Sequence, residues 1–419
     1  MTAHPFMLRL VSATVLLALT IARISAAQDA VPVLVDTDMT VGAGATITAG
    51  IGAAVARVED MFVPARLFAE QGIARRAANI TYRVLKLTYF DVPQEQWLMV
   101  ANHELMGHGA RLRERFAGPI GYTIDAPAPY GPGGGSTFFR FDREPSSYEL
   151  LAISAAGMEA NAVAARLVAD AAFREARMRP RDAIRYLGFE LDTLNYVLST
   201  GDDPEEPGHD VSDFVQEYNA LAASLGTPPV APRTLRREVL VSLANPMLGF
   251  AVYGIGRYVW NGATDVRVPA LTIAGVRYLP LVRYQLTPYG TEWALTNHLA
   301  GRGWPTRVDV RVGRSPGSRP WGVGIERLNV AALRSWRIDA GVELWRQPSI
   351  AGPDAPARAA QLGIQVRGRA ERPLVPVWFS SRRATLIIDA AGKTAGFVPG
   401  QPLRGGVVVR AGVGVPLSR

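Results

Sequence analysis

The chain contains five histidines, and two of them share one short stretch with a glutamate: His103-Glu104-Leu105-Met106-Gly107-His108. Imidazoles beside a carboxylate suit a divalent metal and its water. Two histidines chelate zinc, and a glutamate next to the first acts as general base toward the bound water. In the usual arrangement the histidines stand four apart and share a helix face. Here they stand five apart, which on a regular helix separates them by about 140 degrees, too far for one ion. A single π-bulge absorbs one residue and returns both rings to the same face, and such bulges cluster at functional sites. Gly107 offers a flexible place for it. The expectation is therefore a π-bulge between His103 and His108, with both rings on one metal.

A catalytic zinc needs a third protein ligand and an open position for water. The chain has no cysteine, so that ligand is a carboxylate, His209 or His298. Glu159 draws attention in Gly157-Met158-Glu159-Ala160-Asn161-Ala162, because a carboxylate amid small apolar residues needs a reason. A di-iron centre is disfavoured: it takes a Glu-x-x-His pair from each of two helices, and a single histidine-bearing helix is expected.

The combination of His103-Glu104-Leu105, Gly107-His108 and the downstream Glu159-Ala160-Asn161 resembles the HELGH and EAD pair of glutamate-liganded zinc endopeptidases, the gluzincins. The nearest pattern is that of the membrane proteases of the HtpX and CAAX prenyl protease kind. The resemblance implies that His103, His108 and Glu159 bind Zn2+ and that Glu104 is the base. Met106 is an insertion in the first motif, Asn161 replaces the aspartate of the second, and the likeness spans about two helices. The activity it implies is zinc-dependent peptide-bond hydrolysis, with Glu104 taking a proton from the metal-activated water and delivering it to the leaving amine. His209, Tyr130 and nearby arginines are the candidates for an oxyanion partner. The competing reading is a non-catalytic outer-membrane β-barrel or scaffold protein with a degenerate metal site.

The elements that must position these residues are helical from Ile47 to about Leu225, where apolar residues recur at helical spacing. Helices are expected over 50–87, 92–116, 146–178, 182–198 and 212–225, with Asp91 as N-cap of the second. Between the second and third, Tyr130-Gly131-Pro132-Gly133-Gly134-Gly135 followed by Ser136-Thr137-Phe138-Phe139 reads as a turn and strand. The acidic segment 201–210 reads as a solvated connection, and Thr227-Pro228-Pro229-Val230-Ala231-Pro232 as a linker. The uncharged stretch 239–256, broken by Asn245-Pro246, fits a buried helix kinked at proline, two strands or a re-entrant segment.

From about Val266 the period becomes two. Trp336, Ile338, Ala340, Val342 and Leu344 alternate with Arg337, Asp339 and Glu343, and Val407, Val409, Ala411, Val413 and Val415 recur in the same way. The fold class is α+β: a helical metallopeptidase-like domain over 28–230, then an antiparallel β-barrel or β-meander domain of roughly seven to nine strands over 231–419. In a soluble sandwich the apolar face turns inward; in an outer-membrane barrel it meets lipid.

A length of 419 residues suits two units, and 48% hydrophobic residues supply a core. Residues 1–27 read as a secretory leader: Arg9, the apolar run from Leu10 to Ala22, then Ser25-Ala26-Ala27. The expected location is the periplasm or outer membrane, with peptides or envelope proteins as substrates and membrane association as a further property. The net charge of +8 comes without a basic run interleaved with aromatics, which argues against a nucleic-acid partner. The ending Leu417-Ser418-Arg419 lacks the terminal aromatic usual in outer-membrane barrels.

Overall fold

The computed structural model describes residues 30–69, 72–115, 118–202, 208–301, 304–333, 335–350, 360–376 and 383–416. The expected leader and the last three residues lie outside them. β1 (Ala30–Val35) and α1 (Val41–Phe62) precede α2 (Ile73–Lys86), a π-helical turn (Leu87–Asp91), α3 (Val92–Ala101), a second π-helical turn (Asn102–His108) and α4 (Gly109–Arg115). A hairpin of β2 (Ile120–Ile124) and β3 (Gly135–Phe139) leads to α5 (Ser147–Ser154), α6 (Ala156–Glu175), β4 (Arg177–Met178), α7 (Pro180–Ser199) and α8 (Asp210–Ser224). Then come α9 (Pro232–Val239), a 3-10 turn (Leu240–Ala244) and α10 (Pro246–Asn261). The remaining strands are β5 (Val266–Arg267), β6 (Leu271–Ile273), β7 (Val276–Thr287), β8 (Gly290–Gly301), β9 (Trp304–Arg314), β10 (Trp321–Leu333), β11 (Trp336–Pro348), β12 (Ala360–Pro376), β13 (Arg383–Lys393) and β14 (Gly406–Pro416).

Local chemistry explains most boundaries. The Thr40 hydroxyl accepts from the Ala43 N–H and starts α1; Ser146 and Glu149 form a reciprocal capping box at α5. The single helix expected over 50–87 is interrupted, because Pro64 confines Val63 to extended backbone (φ −113°, ψ 109°) and ends α1. Asp91 is not an N-cap. The chain is already helical there, and its carboxylate accepts from Lys86 at 2.7 Å and Arg181 at 2.7 Å instead. The uncharged stretch is helical and bends by 61° between the α9 region and α10, at the Asn245-Pro246 break.

The long strands form one antiparallel sheet in the order β1-β14-β13-β12-β11-β10-β9-β8-β7-β6. From β6 to β14 it is an antiparallel meander, but hydrogen bonding does not close it into a barrel: β1 and β6 are its edges among the described residues. The first strand thus joins the last, with Val33 opposite Val413. Helices continue past the expected linker to Asn261, and one apolar core joins Ala164 and Val168 of α6 to Leu279 and Leu281 of β7. α6 is almost wholly buried, which its run of alanines permits at close helix spacing.

Candidate metal centre

The inserted residue is absorbed as expected. Residues Asn102–His108 are π-helical, and the Gly109 N–H donates to the Glu104 carbonyl five residues back. The two imidazoles consequently meet, with ring centroids 4.9 Å apart. Gly107 contributes by having no side chain rather than by flexibility. A Cβ there would lie 2.5 Å from the Gly157 Cα, and one on Gly157 would lie 2.1 Å from Nε2 of His103. Both glycines let α6 press against the π turn.

Each ring is held from behind. Nδ1 of His103 is 3.1 Å from Oδ2 of Asp192, and Nδ1 of His108 donates to the Ile153 carbonyl at 2.8 Å. A carbonyl only accepts, so the proton of His108 sits on Nδ1 and its Nε2 is the free donor atom for an ion. The Nε2 atoms of His103 and His108 lie 2.9 and 3.2 Å from the same oxygen, Oδ2 of Asp210. His103, His108 and Asp210 form the group that could hold a metal ion among the described residues.

Electrostatics agree with that geometry. Burial penalises the charged ring of His103, but the Asp192 and Asp210 carboxylates outweigh it and hold its pKa well above 6.5. His108 is buried too, and Asp210 raises it above 6.5. Burial opposes the Asp210 charge, yet the two histidines pull its carboxyl far below 3.8. The same carboxylates that favour the protonated rings also favour a cation between them, so protons and a metal compete for this place.

Glu159, expected as third ligand, is placed elsewhere. Its carboxylate accepts from Arg111 Nε at 3.0 Å and Nη2 at 2.6 and 2.7 Å, and from the Gly400 N–H at 2.8 Å. Two residues on, and so on the other side of α6, Asn161 does reach the site's outer shell. Its Nδ2 donates to Asp192 Oδ2 at 2.9 Å, while its own Oδ1 accepts from Asn102 at 2.9 Å. The motif's substituted position thus orients the carboxylate behind His103.

Glu104 is buried beside the histidines, where the hairpin crosses the π turn: Thr137 Oγ1 donates to its Oε2 at 2.6 Å. Tyr130 lies away from the site and donates to the Tyr89 carbonyl. His209 is next to the ligand carboxylate in sequence and reaches Ser199 Oγ at 3.3 Å, and His298 sits in the sheet 3.6 Å from Asp170. Two further residues join the site, neither of them marked by a motif. Tyr196 stacks on His103 at 4.8 Å, and burial, with Asp210, Asp192 and Glu104 nearby, drives its pKa far above 10 and keeps the hydroxyl protonated. Asp210 ends the segment that reads as a solvated loop; its place as first residue of α8, beside a histidine, is the one hint it offered.

Comparison with known proteins gives no matching family model, no matching curated protein and no matching solved structure.

Proposed function

We propose that the chain hydrolyses peptide bonds in the cell envelope as a zinc-dependent enzyme, with His103, His108 and Asp210 as ligands and Glu104 as general base. The observation that carries this reading is the convergence of two Nε2 atoms on one Asp210 oxygen while both Nδ1 atoms are held from behind. The donor set fits zinc: two imidazoles and one carboxylate are the ligand types of catalytic sites that keep a position open. Bound zinc would supply Lewis acidity at a carbonyl and lower the pKa of its water toward about 7.

The chain's residues do the rest. Asp192 and the Ile153 carbonyl fix the ring orientations. Thr137 occupies Oε2 of Glu104, so Oε1 is the atom that takes a proton from the attacking water and returns it to the leaving amine. The protonated Tyr196 hydroxyl is a donor for the oxyanion, in place of Tyr130 and His209. The likeness of His103-Glu104-Leu105 and Gly107-His108 to the gluzincin motif supports a peptide substrate. The third ligand departs from that pattern, coming from an aspartate at the start of α8. The leader-like residues 1–27 support export to the periplasm or outer membrane, where peptides and envelope proteins are the substrates to hand.

The test is metal analysis paired with turnover of quenched-fluorescent peptides. Wild type should hold one zinc per chain, and His103→Ala should lose it. Glu104→Gln should keep zinc while hydrolysis drops by about 100- to 10,000-fold. Zinc binding with equal or absent turnover in both proteins would favour the non-catalytic reading; absence of stoichiometric zinc would remove the centre itself.

A further inference from the structure

A half-buried antiparallel sheet in water turns its apolar face to the core and its charged face to solvent. This sheet does the reverse. The side chains directed at α6 include Arg307, Asp309, Glu326, Arg367 and Asp389, tied together by ion pairs. Arg307 meets Asp170 of α6 at 2.7 Å, Asp309 at 2.9 Å and Glu326 at 2.7 Å, and Arg367 meets Asp389 at 2.6 Å. The alternating positions, directed away from the helices, are aliphatic and uncovered: Ile325 is 47% exposed, Leu344 48%, Val409 56% and Leu362 75%. Exposed apolar residues that are contiguous, rather than scattered singly, mark a contact or membrane surface. Among the described residues no second layer covers it; the helical layer packs on the charged side.

The limits of the apolar band carry the side chains that favour a membrane interface. Trp321 and Arg346 are paired at one end of β10 and β11. At the other end Arg372 lies over the Trp336 ring at 5.8 Å. From Trp336 to Arg346 the strand rises about 33 Å, or about 25 Å along the normal at a tilt of about 40 degrees, the height of the apolar band of outer-membrane strands. Arg327 is the outward charge that interrupts the band among the described residues of β10, just before the register shift at Arg327/Ala331; its long stem can carry the guanidinium toward the interface.

An open edge is costly in lipid, and the helical layer meets edge strand β1 on one side and β7, next to the short edge strand β6, on the other. Thr46 of α1 accepts from the Leu34 N–H of β1 at 3.0 Å, and Ser242 accepts from the Tyr284 N–H of β7 at 2.9 Å. α1 is itself the one helix long and apolar enough to cross a membrane among the described residues, and its Ile51, Val58 and Phe62 are exposed.

We infer that the outer face of β9 to β14 is the contact surface for the hydrocarbon of a phospholipid bilayer, with the ion-paired face, joined by Asp170 of α6, as the polar layer behind it. This inference does not depend on the metal centre. The chain's lack of cysteine makes the test clean. Val342→Cys and Val409→Cys, on the outer face, and Ala223→Cys, exposed on α8, are each labelled with an environment-sensitive fluorophore in the full chain. Each is then mixed with phosphatidylcholine vesicles carrying nitroxide on the acyl chains. The two sheet labels should shift to the blue and lose most of their emission to the nitroxide, while the α8 label should not change. Val342→Arg should weaken vesicle association and leave zinc content at the wild-type level, which keeps this surface separable from the metal site. Sheet labels that stay water-like in the presence of vesicles would overturn the inference. So would a blue shift that grows with protein concentration and is untouched by the nitroxide, the sign of a second copy covering the face.

Discussion

Replacing Glu159 by glutamine and Asp210 by asparagine should produce opposite phenotypes, although sequence alone makes Glu159 the stronger ligand candidate. Glu159 and Arg111 are both buried and bonded through both carboxylate oxygens. Removing one partner of such a pair costs about 3–5 kcal/mol, because the other charge stays buried without compensation. Arg111 would retain Glu114 at 2.7 Å and the Gln401 carbonyl at 3.0 Å, and glutamine keeps one accepting oxygen. The lower end, about 3 kcal/mol, is therefore expected, a large share of a typical stability of about 5–15 kcal/mol. Zinc affinity should be unchanged. Asp210→Asn should instead weaken zinc binding by more than about 100-fold, beyond the usual cost of an outer-shell change. The assays are denaturant unfolding of the metal-free proteins and zinc titration against a chromophoric chelator. Loss of zinc by Glu159→Gln at wild-type stability, or full affinity in Asp210→Asn, would refute the assignment.

Further outcomes follow from the same geometry. Asp192→Asn removes the negative charge behind His103 and sets an amide donor against Asn161, so zinc affinity should fall by about 10- to 100-fold, read by the same titration. The raised pKa values of His103 and His108 contribute stability to the metal-free protein that is complete below about 6.5 and lost as pH rises through the raised values. The lowered pKa of Asp210 contributes above 3.8 and is lost on acidification. Melting temperatures of metal-free protein should accordingly drop from neutral to alkaline pH, while zinc affinity, which requires both rings to give up protons, should climb over the same range. Deleting Met106 restores the regular spacing of the two histidines but turns His108 and all that follows by about 100 degrees. Met106 is packed so closely on α1 that a Cβ at Gly44 would lie 2.4 Å from its Cβ. The deletion should thus abolish zinc binding and destabilise the fold, measured by metal content and melting temperature.

Local pattern carried a good deal of this protein. Five-residue spacing between two histidines that must share an ion leaves a π turn as the economical backbone solution, and the chain adopts it at Asn102–His108. Alternation from Trp336 to Leu344 defines two faces of a strand whatever lies beside it, because side-chain direction is a property of the pleat. What local pattern cannot carry is which distant groups meet. Asp210 lies 107 residues and four helices, α4 to α7, beyond His103, and their packing decides that its oxygen, and not that of Glu159, stands opposite the rings. Asn161 earned its outer-shell place only through Asp192 on α7. The pairing of β1 with β14 joins residues almost a full chain length apart, and the turning of the aliphatic face away from the helices depends on which face finds Asp170 and α6 behind it. Periodicity is set by the backbone over a few residues, whereas ligand convergence and the choice of buried face are set by the free energy of packing whole elements together, and that was decided in three dimensions.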